Sequence, residues 1–201
     1  MPDGHSLRVY EYIESYIPIL TLWIGFASIL AFPHFTFLSI ICQVLFLHLY
    51  IYGGHVILHL MREDNPFIIF NPHIFLHHNK SVQLDRWIEL GIEGSGNFSY
   101  IILPILIQNL FHIHIFSTSI VLSGAILYVI MHIFQYSIIG DNNHALHHTH
   151  KLCNYEPEFI DTLFNTRCEP DTPYKNMSKE IPHAIVAFIL AGTLKLLFTL
   201  D

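Results

Sequence analysis

Two stretches of the chain carry no Asp, Glu, Lys or Arg: Ser15 to Met61 and Gly94 to Gly140, each 47 residues long. A helix rises about 1.5 Å per residue, so either stretch would reach about 70 Å if it ran straight. The hydrocarbon core of a bilayer is only about 30 Å thick. Each block therefore predicts two crossings joined by a turn. Pro33-His34 divides the first block, and His112-Ile113-His114, following Asn109, divides the second. The expected spans are 16–32, 35–61, 97–112 and 114–139. The fold class that follows is all-α: an integral membrane protein with four transmembrane helices arranged as two hairpins. The first and third spans are short and call for tilt or local thinning. Four crossings put both ends of this core on one side.

The segment 181–200 is largely apolar, with His183 and Lys195 as interruptions. It reads equally as a fifth span, a re-entrant helix or a helix on the interface. The leader holds Asp3, Glu11 and Glu14 against Arg8, and no small-residue cleavage site follows, so a cleaved signal peptide is not expected.

Composition agrees with lipid as the solvent. The 201 residues are 52% hydrophobic and 12% charged, about half the charge of a soluble chain. They suffice for a single membrane domain covering 1–201. A net charge of −7 argues against a nucleic-acid partner, which needs a basic face. Eight of the nine basic residues, all but Lys195, fall outside the expected spans on one side. The positive-inside rule makes that side cytosolic. Three cysteines, Cys42, Cys153 and Cys168, form no paired spacing and speak against a disulfide scaffold or a thiolate zinc site.

The sixteen histidines carry the chemistry. His55 and His59 end the second span at i,i+4, so both rings leave one helix face. His73, His77 and His78 follow in the first polar loop, and His144, His147 and His148 follow the fourth span, which itself carries His132. All nine fall on the charged side, although the topology rests on charges and turns alone. Three such groups can close around two metal ions with four or five imidazoles each. Neutral imidazole suits iron, zinc, copper and nickel alike, so the ligand type does not name the metal. Glu63, Asp64, Asp85, Glu89, Asp141 and Asp161 lie near enough to take the second ring N–H of a ligand and fix its tautomer.

The other histidines read as ordinary residues, with two exceptions. His150 adjoins the third cluster as a possible extra ligand. His48, about 10 Å deeper than His55 by helical rise, either lines a substrate cavity or hydrogen-bonds a neighbouring helix. The second is favoured. A carboxylate di-iron bundle needs two Glu-x-x-His motifs, and only Glu180 to His183 offers one.

An HxxxH on a membrane helix, a first loop ending in His-His and a late HxxHH together resemble the fatty acid hydroxylase / sterol desaturase superfamily. The stretch HALHHTHKLCNYEPEFIDTLFNT (144–166) is similar to that family's HxxHH, Asn-Tyr and Asp-x-x-Phe-Gly-Thr elements, with Asn154, Asp161, Phe164 and Thr166 matching. Tyr128 and His132 resemble its Tyr-x-x-x-His, and Leu84-Asp85-Arg86 also matches. The likeness covers about 50–167. Three departures stand out: three residues rather than two separate His73 from His77, Tyr136 stands where a second helix histidine is common, and Asn165 replaces a glycine.

The resemblance implies two iron ions (zinc as isolated) held by the nine histidines, with His150, Tyr136 and Asp161 as extra or supporting groups. It implies O2 as oxidant and electrons from cytochrome b5 with an NAD(P)H-dependent reductase. The product would be a hydroxylated or desaturated lipid, in the endoplasmic reticulum membrane. Fatty-acyl or sphingolipid hydroxylation comes first among the activities, with sterol C-4 oxidation or sterol desaturation second. A metal transporter, a bis-His cytochrome and a non-catalytic partner subunit are the rivals from other classes.

Overall fold

The computed structural model describes residues 4–32, 34–61, 64–71, 73–78, 84–134, 142–150, 152–168 and 175–198. Apolar sequence without backbone partners in lipid must satisfy its own N–H and C=O groups, and these residues do so as helices. The long ones are α1 (Gly4–Ala31), α2 (Phe37–His59), α3 (Arg86–Leu110), α4 (Thr118–His132) and α7 (Ile181–Phe198). Two short helices, α5 (Asn142–Thr149) and α6 (Glu158–Phe164), lie between α4 and α7. No strand occurs among the described residues. Four helical segments are long and apolar enough to cross a membrane: Val9–Ala31, Phe37–His59, Arg86–Leu110 and Met177–Phe198.

The ends of the helices differ from the charge-free boundaries for identifiable reasons. α3 begins at Arg86, eleven residues before the expected 97, because Asp85 caps it by accepting from the Trp87 N–H at 2.9 Å. Arg86, Glu89 and Glu93 thereby join the helix. α4 begins at Thr118 rather than 114. The Gln108 side chain holds the chain before it, accepting from Phe116 N at 2.9 Å and donating to Phe116 O at 3.0 Å. Gln43 Oε1 accepts from Ser117 N at 2.8 Å. Two glutamines so satisfy backbone groups that neither water nor a helix would reach.

The fourth apolar helix is short. Its 15 residues span about 22 Å, and it is surrounded by α1, α2, α3 and α7. Small residues make this possible. Ala184, Ala187 and Ala191 of α7 are buried, as are Ala125 and Gly124 of α4, the pattern expected where packing alone joins helices. Trp23 of α1 lies against Gly124 and donates its indole N–H to Ser123 Oγ at 3.1 Å.

The open reading of 181–200 now narrows. Met177 N donates to Ser15 Oγ at 3.1 Å, and the Lys195 ammonium donates to Leu30 O. α7 therefore runs beside α1 in the same direction, from the end that bears the histidines to the opposite end. His48 takes both roles: its Nδ1–H donates to Val44 O at 2.8 Å and its Nε2 accepts from the Tyr16 hydroxyl at 2.5 Å, tying α2 to α1, and its ring also borders a cavity.

Candidate metal centre

α2 ends in His55 and His59, both buried, with their rings 5.0 Å apart. The next ligands come from a π turn over His73–His77, closed by the i,i+5 bond from His78 N to His73 O at 3.2 Å. The turn brings the His73 and His78 rings together, with centroids 4.7 Å apart. Asn71 pins it to α2, donating to Leu58 O at 2.7 Å and accepting from Ile74 N at 3.3 Å. The sequence reading did not single out Asn71; the nearest signal was its place two residues before the cluster.

His147, fully buried on α5, completes the group. The candidate ligand nitrogens of His55, His59, His73, His78 and His147 all lie within 4.8 Å of one another. His73 Nε2 is 2.9 Å from that of His55, 3.0 Å from that of His59 and 3.2 Å from that of His78. Metal–nitrogen bonds of about 2.0–2.1 Å put neighbouring ligand nitrogens of one ion about 3 Å apart. The three separations from His73 match.

Tautomers decide whether these nitrogens attract or repel. His55 Nδ1–H donates to Tyr155 O at 2.5 Å, and His147 Nδ1–H donates to Cys153 O at 2.6 Å. Each neutral ring then turns an Nε2 lone pair inward. Burial pushes the His147 imidazole down to about 4, against the donation to Cys153, which pulls the other way. Converging lone pairs in a buried site are stabilised by a cation. An all-imidazole donor set suits a transition ion and not calcium or magnesium, which take oxygens.

For His55 and His147 the acceptor of the ring N–H is a backbone carbonyl, not one of the acids singled out from sequence. Asp85 caps α3, and Glu89 pairs with Arg86 at 3.1 Å. Glu63 and Asp141 lie outside the described residues. Asp161 acts one step back. Its Oδ1 accepts from Tyr155 N at 2.9 Å and from Thr166 Oγ1 at 2.6 Å, and its Oδ2 accepts from Glu156 N at 2.6 Å. Burial raises its carboxyl to about 6, offset in part by those donors.

Cys153 and Cys168 form a disulfide, contrary to the cysteine reading. Three cysteines are compatible with one bond and one free thiol, here Cys42. The bond closes a strap whose Cys153 and Tyr155 carbonyls orient two of the five imidazoles. Asn154 N donates to Thr166 O at 2.7 Å across it. Asn165 ends α6 at φ 56°. That left-handed conformation suits glycine best, and asparagine is the next most tolerant residue.

The remaining candidates divide. His132 is buried beside the cluster, where its Nε2 meets Glu93 Oε1 and its Nδ1 lies 3.8 Å from Glu156 Oε2. Neither glutamate was among the acids singled out from sequence. His148 stacks on His78 with centroids 4.6 Å apart, and His150 is exposed. The side chains of His77 and His144 lie outside the described residues, as does Tyr136 altogether.

Two cavities meet at His132, and the larger of them borders this centre. One of about 230 Å³ lies between α2, α3 and α4 and is bordered by His55, His73, Glu93 and His132. The other, of about 90 Å³, is bordered by Tyr16, His48, His132, Glu156 and Asp161. Tyr128 and His132 belong to both walls. No family model, characterised protein or solved structure matches the chain.

Proposed function

We propose that this membrane protein is a metal-dependent lipid oxidoreductase that hydroxylates a fatty-acyl or sphingolipid chain. The observation that carries the reading is that two of the five clustered imidazoles, His55 and His73, border a largely apolar cavity between apolar helices. His55, His59, His73, His78 and His147 would hold one iron. The second iron that the family resemblance implies would draw on His148 with His77 and His144. Bound iron would supply one-electron and O2 chemistry, with O2 and electrons arriving from outside the chain. Cytochrome b5 and its NAD(P)H-dependent reductase are the proposed donors.

The residues do the rest. Carbonyls of Cys153 and Tyr155 keep His147 and His55 in the ligating tautomer. The cavity wall excludes water from the reacting carbon. Glu93 Oε1 and His132 Nε2 hold a proton between them at the same wall. A transporter reading fits less well, because transport sites lie near the bilayer midplane and this cluster lies at the helix ends.

The excess of basic residues supports a cytosolic metal face, in the endoplasmic reticulum membrane. The Cys153–Cys168 bond is the observation against that orientation, since such bonds persist in oxidising compartments. The test is elemental analysis of protein purified in mild detergent, followed by lipid oxidation with reduced cytochrome b5. Bound iron and a hydroxylated acyl product are expected. Absence of any transition metal after reconstitution would overturn the reading.

A further inference from the structure

The larger cavity follows one stripe of α3. Its lining residues Glu89, Ile92, Glu93, Gly96, Asn97, Tyr100 and Ile101 recur at the spacing of a single helix face. From Glu89 to Ile101 the helix rises about 18 Å. The upper part, toward the histidines, carries Glu89, Glu93, His55, His73 and His132 among Leu58, Leu76 and Leu84. The lower part is apolar apart from Asn97.

Tyr100 lines the cavity toward its lower end, beside Ile101, and its position is fixed. Its hydroxyl donates to Tyr50 O at 2.8 Å, while the Tyr50 hydroxyl donates to Tyr100 O at 3.0 Å. The two rings stack with centroids 4.6 Å apart and planes 5° from parallel. This reciprocal clasp is possible only because α2 has glycine at 54. A Cβ there would lie 1.6 Å from the Tyr100 hydroxyl. Both hydroxyls are directed to backbone carbonyls, so the floor offers ring carbon to whatever fills the cavity.

The volume selects the shape of the occupant. A cavity of about 150 Å³ holds benzene, so 230 Å³ encloses roughly nine carbons. That is the tail of one linear chain and far less than a sterol nucleus with its side chain. We infer that the cavity takes a single straight hydrocarbon chain tail first, and that Tyr100, clasped to Tyr50 across Gly54, determines how far that chain passes the histidines. The inference rests on the lipid-oxidising reading above and deepens it. Tyr100 becomes a specificity-determining residue: it sets which carbon, counted from the methyl end, stops beside His55.

Gly96 provides the matching control. It lines the same cavity, yet a Cβ there meets nothing within 4 Å. A larger side chain at 96 can fill the space without disturbing the helices. The experiment is competition of straight-chain acids, from octanoic to stearic, against a fluorescent fatty acid on the full-length protein in detergent. Wild type, Tyr100→Ala, Tyr100→Phe and Gly96→Leu are compared, each with and without metal.

Tyr100→Ala is expected to shift the preferred length upward by several carbons, and Tyr100→Phe, which keeps the ring, to leave it unchanged. Gly96→Leu, displacing about four carbons, should weaken every long chain at least tenfold. In an active preparation, the oxidised position in Tyr100→Ala should move away from the methyl end. Wild type that binds chains with a length profile unmoved in Tyr100→Ala and Gly96→Leu would overturn the inference and leave the oxidoreductase reading standing. Failure of wild type to bind any chain would overturn it as well. Chain binding with the expected shifts but no transition metal would support the inference and remove the oxidoreductase reading.

Discussion

His55 donates its Nδ1 proton to the carbonyl of Tyr155, a residue 100 positions further along the chain, at 2.5 Å. One membrane helix thus depends on a loop after the fourth for the orientation of its metal-facing imidazole. The predictions below follow from this dependence and from the packing around it.

Loss of a ligand should be separable from loss of an ordinary histidine. His59→Ala and His147→Ala are each expected to lose most bound metal while still inserting into membranes. His148→Ala, which removes a proposed ligand of the second iron and a ring stacked on His78, should lose about half at most. His114→Ala at the opposite turn should lose none. Elemental mass spectrometry of purified variants, normalised per chain, measures all four.

The strap should matter to metal affinity without contributing a ligand. Cys153→Ser with Cys168→Ser, or reduction of the bond by a dithiol, frees the carbonyls that orient His55 and His147. Groups that orient metal ligands are typically worth about 10–100-fold in affinity, and a loss of that size is expected. Competition with a chromogenic chelator reads it. Affinity unchanged in the double serine variant would mean that the remaining strap contacts, through Asp161 and Thr166, suffice.

Acid should destabilise the metal-free protein through His147. Its imidazole sits near 4 when folded against 6.5 when free. Above 6.5 both states are neutral and the residue contributes nothing to pH dependence. As pH falls from 6.5 to 4 the unfolded chain takes up a proton that the folded chain refuses, so stability drops. Asp161, raised to about 6, works the other way below that pH, because the folded state is protonated first. In chelator, His147→Gln should flatten the acid loss, by roughly several degrees in melting temperature. Identical slopes for the two proteins would refute the assignment.

Adjacent glycines should respond oppositely. Gly54→Ala drives a Cβ into the Tyr100 hydroxyl and should cost about 1–3 kcal/mol. Gly53→Ala meets nothing within 4 Å and should stabilise α2 by about 0.5–1 kcal/mol. Adding Tyr100→Ala should relieve most of the Gly54→Ala loss, since the two side chains would no longer compete for one space. Thermal unfolding in detergent measures each variant.

Local pattern alone placed the apolar helices α1 to α4, though not α5, α6 or the course of α7, and the end at which the histidines gather. Those properties depend on local periodicity and on the cost of placing charge in lipid, which act wherever the residues stand. Charge-free limits did not determine helix ends, because Asp85 can cap α3 well outside the apolar stretch and Gln108 can delay α4. Tertiary structure alone decided which imidazoles meet: a π turn anchored by Asn71 brings His73 and His78 to His55, His59 and His147. It also gave the orientation of His55 and His147 to two carbonyls, set Glu93 and Glu156 against His132, and joined Cys153 to Cys168. Each of these is a meeting of residues far apart in sequence or a backbone conformation chosen by packing. No pattern along the chain encodes a distance between two helices, and it is that distance which lets Tyr100 lie across Gly54.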